Sequence, residues 1–405
     1  MMDIRRIQAV LSEQEIDAWL LYDFRHSNPV AWQTLELPPE THCSRRWAVI
    51  VPAEGEAVKI VHSIEAHTLA GVPAREMRYT TRSDWEQALR ETLGKHRRIA
   101  LEYSPRNAIP VVSWVDAGTV EWLREQGYVV ESSAEIIQQY SAVWSKEQFE
   151  ENVVTAKLLR TAMMRCFSFI REHMLAGEPL TEYQVQQEIG KYFDEYNLVS
   201  YSLPNISVNA NAANPHYQPT AEHSAELRHG DVVLVDMWAK PRTPHGVYAD
   251  ITWMAYLGEH VPERPATLFS VIATARDAAL QLLRDNLPHK PVRGCDVDDA
   301  CRAVVEKAGF GQYFIHRTGH SITTETHGWG ANMDNFETHD TRRIVPMTSF
   351  SIEPGIYIPG EIGLRTEVNV VINERGEVIV TGGEPQQAIL PLLAPQCNVQ
   401  AFIKL

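Results

Sequence analysis

Five side chains have the types and spacing to do chemistry together. They are Asp236 in "VVLVDMW", Asp250 in "YADIT", His320 in "HRTGHSI", Glu353 in "SIEPGIY" and Glu367 in "GLRTE". The four acids sit in or beside runs otherwise fit for burial, and a carboxylate taken out of water is costly unless a cation or several donors meet it. Four carboxylates converging on one pocket would repel by about 4 kcal/mol for each pair held roughly 4 Å apart at an effective dielectric of about 20. Two divalent cations would neutralise them. Such ions can share a bridging water, lower its pKa and hold a carbonyl oxygen for attack, so amide hydrolysis is the chemistry expected. Oxygen-rich ligation with one imidazole suits manganese and tolerates zinc or cobalt, and it argues against copper or iron-sulfur sites.

The elements that must position these groups can be read from the pattern. "DAWLLYDF" and "RRIALEY" read as strands, "WAVIVPAEGEAVKIVH" as a hairpin turning at Glu54 and Gly55, and "SWVDAGTVEWLREQG" as a helix stopped by Gly127. A small α/β domain over residues 1–142 is expected from them. "SKEQ" at Ser145–Gln148 and "TEYQ" at Thr181–Gln184 have the form of capping boxes. The first predicts a long helix ending at Gly177, with Phe149, Val153, Ala156, Leu159, Met163, Phe167, Ile170 and Met174 on one face; the second predicts a helix to about Tyr196. Residues 200–230 read as loop. "DVVLVDMW" and "YADITWMAYLG" then form two strands whose hairpin could bring Asp236 and Asp250 to one mouth of the sheet. A helix after Pro265, another from about Asp296 to Gly309, and strands in "SFSIEP" and "LRTEVNVVI" repeat the order, placing Glu353 and Glu367 at equivalent strand positions. Helix, helix, strands occurring twice predicts a domain over residues 143–405 built from two related halves, with its site at their junction.

The chain has 405 residues, 44% hydrophobic and 22% charged, which fits two globular domains. A net charge of -15 argues against a nucleic-acid partner. The five cysteines form no C-x-x-C pair, so neither a zinc ribbon nor a disulfide framework is indicated. The opening "MMDIRRIQAVLSEQEIDAWLLYDF" lacks the apolar core and cleavage site of a signal peptide, and no run approaches the roughly 18 apolar residues of a membrane helix. A cytoplasmic protein with no membrane partner is expected.

From about Ser145 to Leu390, through "NPHY", Asp236, "YADIT", "HRTGH", "SIEPGIY" and "GLRTE" in that order, the sequence resembles the metallopeptidases that include aminopeptidase P, prolidase and methionine aminopeptidase. The resemblance implies an α+β chain: a pita-bread catalytic domain, its curved, mainly antiparallel sheet covered by helices, behind a smaller α/β domain of creatinase and prolidase type. That extra domain favours the proline-directed branch. Carried over by position, Asp236, Asp250, His320, Glu353 and Glu367 would hold two divalent ions, with Asp250 and Glu367 bridging and Glu353 doubling as general base. His216 of "NPHY" and His327 match histidines that face the substrate and steady the tetrahedral intermediate or relay a proton. Arg365 matches an arginine behind the ligands, and Tyr248 the tyrosine before the second Asp. The implied activity is cleavage between an N-terminal residue and proline in a small peptide, by a Xaa-Pro dipeptidase or aminopeptidase acting as a homodimer.

The chain departs from that pattern. Asp236 and Asp250 are joined by a longer connection than usual, "DMWA" replaces an Asp-x-Gly turn, and Trp253 stands where many members carry arginine. A non-peptide amide or other small metabolite as substrate, or a non-catalytic binding protein of the same shape, are the competing readings. His316 is read as a hydrogen-bonded residue of the pocket wall, with a lesser claim to a direct role. His245 and His339 are read as loop histidines, Gly355 as turn chemistry beside Glu353, and the remaining tryptophans as core. Arg342 and Arg343 are expected in solvent, from which one could reach a substrate carboxylate.

Overall fold

A computed structural model describes residues 3–402, so the outermost residues of the expected bounds 1–142 and 143–405, and the first two of the opening segment, lie outside it. The chain divides into two compact units, Met1–Ser141 and Ala142–Leu405.

The first unit is a six-stranded sheet in the order Arg75–Tyr79, Val58–His62, Arg46–Pro52, Ala18–Phe24, Arg98–Leu101, Val129–Ser132. Arg46–Pro52 and Val58–His62 form the antiparallel hairpin, and Gly55 takes φ +110° in its connection, a conformation that costs a residue without Cβ nothing. Ala18–Phe24 pairs in parallel with Arg98–Leu101, which makes the sheet mixed. The helix read from Ser113 begins only at Ala117, because Asp116 caps it by accepting from the Thr119 N–H at 2.9 Å.

In the second unit both capping boxes close. Ser145 and Gln148 bond reciprocally at the start of Lys146–Ala176, which ends where Gly177 turns left-handed, and Thr181 and Gln184 do the same for Glu182–Glu195. This helix pair covers one side of the strands Val232–Pro241 and Ala249–Tyr256, which run antiparallel with Asp236 opposite Thr252 and Asp250 opposite Trp238. Side chains alternate across a strand. Val233, Val235, Met237 and Ala239, with Ala249, Ile251, Trp253 and Ala255, therefore face the first helix pair, while Val232, Leu234 and Met254 join a second core beneath Glu263–Asn286 and Gly294–Lys307. Asp236, Asp250 and Thr252 belong to this second face. The segment read as loop from 200 to 230 contains a further strand, Asn205–Val208, antiparallel to Val232–Pro241.

The second half supplies the ladder Ser321–Ile322, Ser349–Ile352, Val368–Ile372, Val378–Val380, and the hairpin Gly355–Ile358 with Ile362–Arg365. Ile352 pairs with Val368, so Glu353 and Glu367 stand opposite one another one residue past the ladder, not within strands as expected. Gly319, just before His320, packs on the strand that leads to Glu353: a Cβ there would lie 1.9 Å from the Ser351 carbonyl oxygen. Gly355 corrects the turn reading, since it has no left-handed φ and instead leaves room for the Tyr357 hydroxyl, which a Cβ would meet at 2.4 Å. Among the described residues the helix Glu263–Asn286 is long and apolar enough, by length and composition, to cross a membrane, but half of that window is buried inside the fold. Its Thr, Ser and Arg residues break the apolar run, which is why no such stretch stood out in the sequence.

Candidate metal centre

Where the two halves meet, a cavity of about 750 Å³ is lined by Asp236, Asp250, His320, Glu353 and Glu367, together with His216, His316, His327 and Arg365. The even positions of the first hairpin deliver the two aspartates, and the end of the second ladder delivers the two glutamates. One donor atom each from Asp250, His320 and Glu367 lies within 4.8 Å of the others. His320 Nε2 is 3.8 Å from Asp250 Oδ2 and 3.3 Å from Glu353 Oε1.

Asp236 and Glu353 flank this trio and are held by the protein. Arg365 donates through Nη2 to Asp236 Oδ2, and Ser351 Oγ donates to Glu353 Oε1 at 3.0 Å while accepting from the His320 backbone N–H. The Thr252 hydroxyl lies 3.0 Å from Asp236 Oδ1 and 2.7 Å from Glu367 Oε2, and it accepts from Arg365 Nε at 3.1 Å. One hydroxyl has a single proton, so Thr252 can serve only one carboxylate at a time.

Burial, then repulsion from neighbouring carboxylates, pushes Asp250 and Glu367 well above the usual acid range. Asp236 is also raised by burial, with Arg365 working in the opposite sense. Burial holds His320 down at about 3, so its imidazole is neutral at ordinary pH and Nε2 can offer a lone pair. His327 is lowered too, chiefly by His320, whose ring it meets edge to face at 4.4 Å. Asp250 Oδ1 is buried with no hydrogen-bond partner among the described residues. An orphaned carboxylate oxygen beside a neutral imidazole and three further acids is a donor set that fits divalent cations of the harder kind.

The other residues singled out in the sequence divide. His216 and His327 reach the cavity wall and are exposed there. His316 is bonded on both ring nitrogens, to the Arg317 carbonyl at 2.6 Å and to the Tyr357 hydroxyl at 2.8 Å. Tyr357 accepts from Arg365 Nη1 at 3.2 Å, which ties His316 to the acids through a residue the sequence reading passed over. Tyr248 is buried off the cavity wall, its ring 6.4 Å from that of Tyr201, which does line it. Arg342 is corrected: it is buried, not solvated, and pairs with Asp340 through Nε at 2.9 Å and Nη2 at 2.6 Å. Besides Arg365, the cation that lines the cavity is Arg317, whose guanidinium makes no ion pair among the described residues. Its position inside "HRTGH" was the available signal.

The sequence profile of metallopeptidase family M24 matches residues 154–374. That stretch is more than half of the chain and contains all five clustered residues: the protein belongs to this family. It is 29% identical over 232 residues to the probable dipeptidase PepE of Mycobacterium tuberculosis, covering 57% of each chain. It is 26% identical over 223 residues to the Xaa-Pro dipeptidase of Lactobacillus helveticus, covering 55% of this chain and 54% of that one. The chain thus spans little more than half the length of these curated relatives. The crystal structure of dipeptidase PepE from Mycobacterium ulcerans superposes with a TM-score of 0.66 at 20% identity, covering 96% of both chains, which shows a shared α+β fold.

Proposed function

We propose that this protein is a metal-dependent exopeptidase that cleaves the bond between an N-terminal residue and proline in short peptides, dipeptides above all. The observation that carries the reading is the buried, unpartnered Asp250 oxygen within a cluster of four acids and one neutral imidazole at the base of a cavity. Asp236, Asp250, His320, Glu353 and Glu367 would hold two divalent ions, manganese in first place. Bound there, such ions supply Lewis acidity, lowering the pKa of water and polarising a carbonyl.

The protein's own groups do the rest. Glu353, oriented by Ser351 Oγ, takes the proton of the attacking water. His216 and His327 face the substrate space: one donates an N–H to the carbonyl oxygen as charge develops, and the other hands a proton to the departing proline nitrogen. Trp238, Tyr201 and Ile315 give the cavity apolar walls for a pyrrolidine ring. Arg317, without an ion pair, offers its guanidinium to the free carboxylate of a dipeptide. Arg365 positions Asp236 and Thr252, and takes no part in the proton transfers.

The names of the PepE and Xaa-Pro dipeptidase relatives support the peptidase reading and its substrate class. The same reading takes residues 1–142 as a separate domain of creatinase and prolidase type, and the assembly as a cytoplasmic homodimer. Hydrolysis of a Xaa-Pro dipeptide, compared with the same peptide extended by one residue at its C-terminus, tests it in the presence of manganese. Faster cleavage of the dipeptide is expected; cleavage of neither would remove the proposal.

A further inference from the structure

A second cavity, of about 820 Å³, lies on the opposite face of the Val232–Pro241 and Ala249–Tyr256 sheet from the candidate metal centre, between the long helix and the segment 379–390. Its walls are mostly apolar, with Val153, Trp253, Val380, Pro385 and Leu390 among them, yet Arg160 is built into it. Arg160 is only 4% exposed. Its Nε donates to the Gly382 carbonyl at 3.1 Å and its Nη2 to the Glu384 carbonyl, while the guanidinium lies 3.8 Å from the centre of the Trp253 ring. Among the described residues Nη1 has no hydrogen-bond partner, and Arg160 makes no ion pair with any carboxylate.

A buried cation needs a counter-charge or a full set of acceptors, and two carbonyls, one indole face and the Glu384 carboxylate, which lies beyond ion-pair distance on the cavity wall, offset only part of its desolvation. Trp253 is the residue that stood out against the resembling sequences, and its indole is what supports this guanidinium. Lys157, one turn earlier on the same helix face, lines the cavity as well. One free donor group, a nearby ammonium and apolar walls match a single carboxylate carried on an apolar body, and they are too few donors for a phosphate. We propose that this cavity binds a small monocarboxylate with an apolar chain or ring, its charge on Arg160 and its body against Trp253, Val153 and Leu390.

Calorimetric titration of the manganese-loaded full chain with octanoate, and with octan-1-ol as the uncharged analogue, tests this site. Octanoate is expected to bind saturably with a dissociation constant below about 1 mM, at least about tenfold tighter than octan-1-ol. Arg160→Gln should weaken octanoate by about tenfold or more. Because loss of the Arg160 clamp could unfold the chain, Val153→Trp, which fills the cavity and spares Arg160, is the second arm: it should abolish octanoate binding and keep peptide hydrolysis. No saturable binding, equal affinity for octanoate and octan-1-ol, or binding that survives Val153→Trp would each overturn the proposal.

Discussion

Thr252 stands directly across the ladder from Asp236, and its hydroxyl bridges the two halves by reaching Asp236 Oδ1 at 3.0 Å and Glu367 Oε2 at 2.7 Å. Thr252→Val keeps shape and volume but strips both carboxylates of this contact and leaves Arg365 Nε short of an acceptor. Groups behind metal ligands typically contribute 10–100-fold to affinity, so the variant should bind manganese about tenfold more weakly with little change in fold. Titration of the metal-free protein measures this, and unchanged affinity would make Thr252 a packing residue only.

Glu353→Gln retains the size of the side chain and removes the base. Turnover on a Xaa-Pro dipeptide should fall by about 10²-fold or more while the thermal midpoint holds, as read by steady-state kinetics and circular dichroism side by side. A variant that still works at near wild-type rate would take Glu353 out of the proton transfer.

Arg317 separates dipeptidase from longer-peptide action. Arg317→Gln should raise KM for a Xaa-Pro dipeptide by about tenfold, while a C-terminally amidated dipeptide, lacking the carboxylate, should respond little. Equal losses on both substrates would mean that Arg317 shapes the cavity without reading the terminus.

Proton release on metal binding follows from the raised acids. Asp236, Asp250 and Glu367 hold protons to higher pH than free carboxylates, whereas His320 is already neutral. A raised carboxylate contributes stability to the metal-free fold that is complete below its unfolded pKa and is lost as pH rises through its folded pKa. Divalent ions compete with those protons, so affinity should climb with pH and each binding event should release protons. Calorimetry at about pH 6 in two buffers of different ionisation enthalpy should show the same heat only if no protons are released, and that outcome would contradict the raised pKa values.

Much of this arrangement could be read from the sequence because local rules and tertiary roles coincide. Ser145 with Gln148 and Thr181 with Gln184 announced both helices of the first half, and acids placed in or beside buried runs singled out Asp236, Asp250, Glu353 and Glu367. Other features had no such mark. Val232–Pro241 is covered on both faces, so its apolar run conceals which side each residue faces until the register with Ala249–Tyr256 is known. Asn205–Val208 is short and follows Pro204, and only its pairing makes it a strand. Thr252 and Tyr357 look like core residues in a strand, and their value lies in contacts with Glu367 and His316, 115 and 41 residues away. Arg342 reads as a surface residue beside Arg343, but its partner Asp340 turns inward with it.

The metal content of protein reconstituted with manganese and then freed of excess ion, measured by elemental mass spectrometry, tests whether these five residues gather to hold cations. About two ions per chain are predicted, falling to about one or fewer in Asp250→Asn, with hydrolysis declining in step. Fewer than about 0.2 ions per chain in protein that still cleaves a Xaa-Pro dipeptide at full rate would contradict it.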